Sequence, residues 1–162
     1  MIGRILRVPA LAALVALTAC KSLDSTPESV GILRGIGLTG EVFEFDAGAC
    51  DLAFILIGTS WCPHCKGEVE ALEKEFQARR ESGFCALYVS EDKSDSIMVE
   101  DVRRKGISFP AMFWNYDLMN ALGNPTAVPA HLIAVKGKIV KAWRGAIGEA
   151  AMHELLENAS NR

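Results

Sequence analysis

The run Leu52-Ala53-Phe54-Ile55-Leu56-Ile57, followed after Gly58-Thr59-Ser60 by Trp61-Cys62-Pro63-His64-Cys65, constrains this chain more than any other stretch. A short, unbroken apolar run reads as a strand buried on both faces, which needs elements packed above and below it. Beyond Cys65 the period changes: Val69, Leu72 and Phe76 fall on one helical stripe, with Glu70 and Lys74 spaced i,i+4 on another. Strand, turn, helix is therefore the expected order. Pro63 suits the first helical position because its missing N–H has no partner to lose there, so Cys62 falls at the N-cap and Cys65 at the third helical position. A thiolate at Cys62 then meets the free N–H groups and the positive end of the helix dipole, and a protonated His64 adds to the same field. Two cysteines so placed can close a disulfide or open to a dithiol whose first sulfur is reactive.

The same spacing also serves as half of a zinc site. Zinc takes four ligands, and with no second Cys-x-x-Cys and no His-x-x-x-His, only His64, His131 and His153 are left to supply them. We expect no metal and no cofactor. Copper(I) held by two thiolates and a histidine is the non-catalytic alternative, though copper has no need of Pro63 or of a helix cap. A scaffold that keeps the fold without the activity is countered by the intact motif. A thiol peroxidase is countered by the absence of a Pro-x-x-x-Thr-x-x-Cys pattern.

The first nineteen residues are of another kind. Arg4 and Arg7 precede an apolar segment from Pro9 to Ala19, too short for a stable membrane anchor, and the pattern reads as a secretory signal. It ends in Leu17-Thr18-Ala19-Cys20, which resembles a bacterial lipobox, so residues 1–19 are expected to be removed and Cys20 to carry lipid; the alternative is an ordinary signal peptide cut nearby. Lys21 rather than Asp after the lipidated residue favours the outer membrane in a Gram-negative cell. Of 17 basic and 20 acidic side chains, Arg4 and Arg7 leave with the leader, so the exported part is more acidic still and offers nothing to nucleic acid. Export also means an oxidising compartment.

Residues 20–40 are rich in Ser, Gly, Thr and charge and read as a flexible tether, with a domain over 41–162. Val42-Phe43-Glu44-Phe45 alternates as a half-buried strand, and Asp46-Ala47-Gly48 supplies a turn. The helix after Cys65 is expected to run to Ser82, with Gly83 closing it. Phe84 to Val89 is a second buried strand, so the unit is a right-handed parallel crossover. Asp95 to Lys105 reads as a helix, Ile107 to Pro110 as extended, and Asp117 to Leu122 as a helical turn. Ala130 to Val135 and Ile139 to Trp143 form a hairpin around Lys136-Gly137, and a last helix spans Ile147 to Asn158.

This order, with Trp61-Cys62-Pro63-His64-Cys65, Val128-Pro129 before the hairpin and the Gly137 turn, resembles the thioredoxin superfamily from about Val42 onward. The segment between Ser90 and Val128, with Phe109-Pro110, Asp117 and Leu122-Gly123, is similar to the insertion of the TlpA/ResA group of membrane-anchored thiol–disulfide oxidoreductases. The resemblance implies an α/β fold in which a central mixed sheet is flanked by helices, with that insertion between the βαβ unit and a hairpin opened by a cis proline. It implies a catalytic set of Cys62, Pro63, His64, Cys65, Pro129 and Glu68, with a redox disulfide Cys62–Cys65. Trp61 and Val128 would border the substrate chain, whose backbone pairs beside Pro129 like an added strand. Glu68 matches a glutamate of that group, and its spacing from Cys65 puts both on one helical face, where it could manage the buried thiol's proton; a solvated helix glutamate is the plainer alternative.

The chain also departs from the pattern. Leu56 stands where thioredoxins carry a buried aspartate, and Glu70 where they carry a helix-kinking proline, while the Pro-His dipeptide and Val128 resemble DsbA, a strong oxidant. In the superfamily the strands opened by Cys50 and Cys85 are parallel neighbours, so a structural disulfide Cys50–Cys85 is implied at the end of the sheet away from the redox pair; two free thiols are the alternative. His131, two residues past Pro129, reads either as a packed strand residue or as part of the site. The expected function is thiol–disulfide exchange with cysteine-containing envelope proteins at the periplasmic face, reloaded by a membrane redox partner.

Overall fold

A computed structural model describes residues 26–161. The leader 1–19, Cys20 and Lys21 lie outside the described residues. Seven strands form one mixed sheet in the order β2 (Val42–Asp46), β1 (Ile32–Gly37), β5 (Ala111–Phe113), β4 (Phe84–Ser90), β3 (Leu52–Gly58), β6 (Ala130–Val135), β7 (Lys138–Arg144). The β3–β4 and β4–β5 pairs are parallel and the others antiparallel. Helices α1 (Pro63–Ala78), α2 (Asp95–Lys105) and α4 (Glu149–Ser160) cover one face, while α3 (Tyr116–Ala121) packs on the other.

Every residue of β3 is buried, and the alternation of its side chains builds both cores. Ala53, Ile55 and Ile57 join Leu87, Val89, Met112 and Leu132 on the α3 face. Leu52, Phe54 and Leu56 meet Leu72, Met98, Met152 and Leu156 under the three longer helices. Parallel pairing of β3 with β4 requires a crossover, and α1 supplies it, which puts the start of α1 at the end of β3 where the cysteine motif lies.

Three boundaries differ from the sequence expectation. The tether assigned to residues 20–40 is too long: Ile32–Gly37 is β1, and residues 28–30 already lie along the hairpin, with Val30 N–H donating to Gly137 O and Ile139 N–H to Glu28 O. The strand pattern is concealed because two of its inward positions are glycines, Gly35 and Gly37. A Cβ on Gly35 would lie 2.8 Å from Phe113 O, so β1 can approach β5 only without a side chain there. Helix α1 ends at Ala78, not Ser82; Gly83 instead takes φ +72° in the turn into β4, where its carbonyl accepts from Asp51 N–H. Helix α4 starts at Glu149, later than Ile147, because Ile147 and Gly148 spend their N–H groups on Glu68. The expected Glu70–Lys74 pair is also redistributed, Glu70 to Lys66 and Lys74 to Glu149.

Cys50 and Cys85 form a disulfide with Cα atoms 5.9 Å apart, beside the starts of β3 and β4. It closes a loop that holds β3, α1 and the entry to β4, a separation of 35 residues. Replacing both cysteines by Ala should lower unfolding free energy by about 3–4 kcal/mol on the chain-entropy argument. Urea denaturation of the double variant checks this; an unchanged midpoint would show that the bridge constrains little.

Candidate redox-active site

Cys62 is the N-cap of α1 with extended backbone (φ −78°, ψ 114°), Pro63 follows it into the first turn, and Cys62 Sγ accepts the N–H of Cys65 at 3.1 Å. The two cysteines are closed as a disulfide with Cα atoms 5.3 Å apart. Cys65 is 0% exposed and Cys62 6%, so both are buried and Cys62 is the more accessible residue of the pair. His64 is exposed in the same turn, and Trp61, 70% exposed, projects beside it. Glu70 at the superfamily's kinking position leaves α1 unbroken for sixteen residues.

The turn that carries the motif is held from below. Asp92, buried after β4, accepts from Ser60 N–H (3.1 and 3.0 Å), from Ser60 Oγ (2.8 Å) and from Ser90 Oγ (2.8 Å). Trp114 Nε1 donates to the Asp92 carbonyl, which ties the α3 segment to the same point. Opposite, the register Ile57↔Ala130 brings Val128-Pro129 to the sheet end where β3 delivers the cysteines. That peptide is cis; Pro129 is buried and Val128 half-buried.

Glu68 is a buried brace and not a solvated helix residue. Its Oε2 lies 3.0 Å from His131 Nε2, and its Oε1 accepts from Ile147 N–H at 3.0 Å and Gly148 N–H at 2.8 Å, joining α1 to β6 and to the start of α4. Burial works against its ionisation, but the bonds from His131 and Gly148 outweigh it and hold the carboxyl below its ordinary value. A carboxylate so engaged is a weak proton acceptor. His131 is fully buried, stacked on Trp143 at 4.6 Å and edge-on to Phe54. Burial holds its imidazole below the ordinary histidine value despite the pull of Glu68, so it is neutral, with the proton on Nε2 assigned by its carboxylate partner.

No protein-family model matches the chain. A thiol–disulfide oxidoreductase named ResA from Halalkalibacterium halodurans is 26% identical over 121 residues, 74% of this chain and 69% of that protein. Its sequence is thus similar to a thiol–disulfide oxidoreductase, and its fold is thioredoxin-like. Its fold is shared with a thioredoxin-family thiol:disulfide interchange protein from Chlorobium tepidum (TM-score 0.73, 17% identity, 85% of this chain and 99% of that one). It is shared also with StoA from Bacillus subtilis (TM-score 0.64, 18% identity, 79% and 98%). In this chain the disulfide joins the helix-capping Cys62, 6% exposed, to Cys65, 0% exposed, in the first turn beneath it.

Asp92 was not singled out by sequence reasoning; nothing local marks it, because the contacts that make it part of the site cross from the loop after β4 to the turn before Cys62. For Glu68 and His131 spacing gave a candidate each, but their meeting spans 63 positions.

Below its ordinary 6.5, the unfolded chain protonates His131 while the folded chain resists, so unfolding takes up a proton and stability falls as pH drops. Glu68, held below its ordinary 4.5, contributes stability above that value and loses it only in stronger acid. Between about pH 7 and 5 the His131 contribution to stability should therefore decline as pH falls. His131→Gln should flatten urea midpoints over that range; a slope as steep as that of the parent protein would place the titration elsewhere.

Proposed function

We propose that this protein is a thiol–disulfide oxidoreductase that is exported, held to the membrane through lipid on Cys20, and exchanges disulfides with cysteines of envelope proteins. The observation that supports it most is the capped geometry of Cys62, whose sulfur already accepts a helix N–H and which is the more exposed residue of the pair. In the reductive direction the Cys62 thiolate attacks one sulfur of a substrate disulfide, the other leaves as a thiolate, and a mixed disulfide forms. Cys65 then attacks Cys62, releases the second substrate sulfur and leaves the Cys62–Cys65 disulfide. In the oxidative direction a substrate thiolate opens that disulfide at Cys62. Trp61, Val128 and Pro129 border the approach and take the substrate chain beside β6. The described residues include no helix long and apolar enough to cross a membrane, and the proposed anchor is the lipid on Cys20.

Stabilising the Cys62 thiolate stabilises the reduced protein and raises its potential, with about 30 mV per 1.4 kcal/mol. The cap and a protonated His64 together contribute on the order of several tens of millivolts, so the potential should lie above thioredoxin's. The partner that reloads the pair decides whether the protein serves in the cell as reductase or oxidase.

Insulin reduction by the purified chain should be abolished in Cys62→Ser, while Cys65→Ser should accumulate mixed disulfide; intact reduction by Cys62→Ser would overturn the assignment. Tight copper(I) binding without any insulin reduction would favour a metallochaperone instead. Equilibration with glutathione, read by Trp61 fluorescence, should give a potential that falls in His64→Ala. In cells, Cys20→Ser should leave the membrane fraction or remain an uncleaved precursor, and unchanged fractionation would end the lipid proposal.

A further inference from the structure

Leu56 puts an apolar side chain where an acid would lie beneath the cysteines, yet the neighbouring strand supplies a polar group at the same level. Tyr88 pairs with Leu56 in the parallel β3–β4 register and is 0% exposed. A Cβ on Gly58 would sit 3.2 Å from Tyr88 Oη and 3.3 Å from Cys65 Sγ. The phenol oxygen and the buried sulfur therefore flank a gap that glycine keeps open, no farther apart than those two distances together. Alanine at this position would press on both, the phenol ring included, at 3.0 Å.

Behind the phenol lies a buried ion pair. Lys105 Nζ is 2.6 Å from Asp101 Oδ2, with side chains 4% and 1% exposed, and Arg104 reaches Asp101 from the solvent side. Tyr88 Oη is 3.4 Å from Asp101 Oδ2 and 3.5 Å from Lys105 Nζ. Lys105 Nζ also reaches Thr59 O at 3.5 Å, the carbonyl that accepts the N–H of Cys62. A buried pair of this kind is a poor stabiliser compared with apolar packing, so its placement against a phenol beside the resolving cysteine calls for a chemical reason.

We infer that the Tyr88 hydroxyl is the hydrogen-bond donor that stabilises the Cys65 thiolate, with Lys105 and Asp101 as positioning residues behind it. This rests on the reading above in which Cys65 resolves the mixed disulfide. With the cysteines closed, the hydroxyl donates to Asp101. When Cys65 becomes a thiolate, the O–H turns to sulfur and the phenol oxygen accepts from Lys105. Burial and the carboxylates of Asp101 and Asp92 push the phenol above its ordinary value, so it keeps its proton and acts as a donor, not a base. In resolution the Cys65 sulfur bonds to Cys62, the Cys62–substrate bond breaks with its electron pair on the substrate sulfur, and the proton lost by Cys65 ends on that departing sulfur. Among the other charged or titratable groups on these elements, Glu91 is half-buried after β4 with its N–H on Gly58 O and its carboxyl raised by burial, and the following are occupied or outward. Glu68 on α1 is held by His131 of β6 and two backbone N–H groups, Asp92 is held by Ser60 and Ser90, Arg104 is on the solvent side of Asp101, and His64 is exposed.

The test is the pH titration of Cys65 thiolate absorbance in the full chain carrying Cys62→Ser, with and without Tyr88→Phe, which keeps the ring and removes the hydroxyl. The thiol pKa should rise by about one unit. That lowers the thiolate fraction about tenfold while raising the nucleophilicity of each thiolate about threefold, so resolution in the chain with both cysteines should slow about threefold. Lys105→Gln should shift the titration in the same direction, and serves alone if Tyr88→Phe does not fold. An unchanged Cys65 titration in either folded variant, even with a lowered melting temperature, would overturn the inference and leave Tyr88 a packing residue. The titration requires no substrate, so its outcome is separate from that of the insulin assay.

Discussion

The structure depends on the burial of β3. A strand with no exposed residue must be hydrogen-bonded on both edges, because a buried N–H or C=O left unpaired costs on the order of 1–3 kcal/mol. β4 and β6 satisfy it from either side, one parallel and one antiparallel. The parallel partner forces a helical crossover and the antiparallel partner is entered through a cis proline, so both meet at the end of β3 that carries the cysteines. The position of the redox pair is a consequence of how one strand is paired, and the Cys50–Cys85 bridge ties the opposite end of the same two strands.

Around that point polar side chains are spent on holding backbone in place. Asp92 fixes the turn before Cys62 and Glu68 fixes the approach to α4, each a buried carboxylate that takes at least three donors. Burying such a group is tolerable only when its lone pairs are filled, and both arrangements meet that condition. The result is a rigid floor beneath an exposed rim of Trp61, Pro63 and His64, and the asymmetry between Cys62 and Cys65 follows from it.

Much of this was legible in the residues. The apolar run, the change of period at Pro63 and the turn glycines place β3, α1 and the hairpin, because those signals are local. β1 was illegible because glycine at inward positions carries no apolar signal, and glycine is there because β5 passes within contact distance. The ends of α1 and α4 shifted for a related reason: the descent to β4 and the demands of Glu68 are set by neighbours distant in sequence.

What the sequence determined by itself is the chemistry: two cysteines at helix-capping spacing, a proline that starts the helix and a histidine in its first turn. These act through backbone geometry that a few consecutive residues control. What only the tertiary structure decided is the company Cys65 keeps. Leu56 announces that the superfamily's acid is missing, but no sequence period reveals that Tyr88 lies across from the sulfur over Gly58, or that Lys105 and Asp101 stand behind it. Those residues belong to different elements, and their meeting is fixed by parallel register and by the packing of α2 on the sheet, quantities that exist only once the chain has folded.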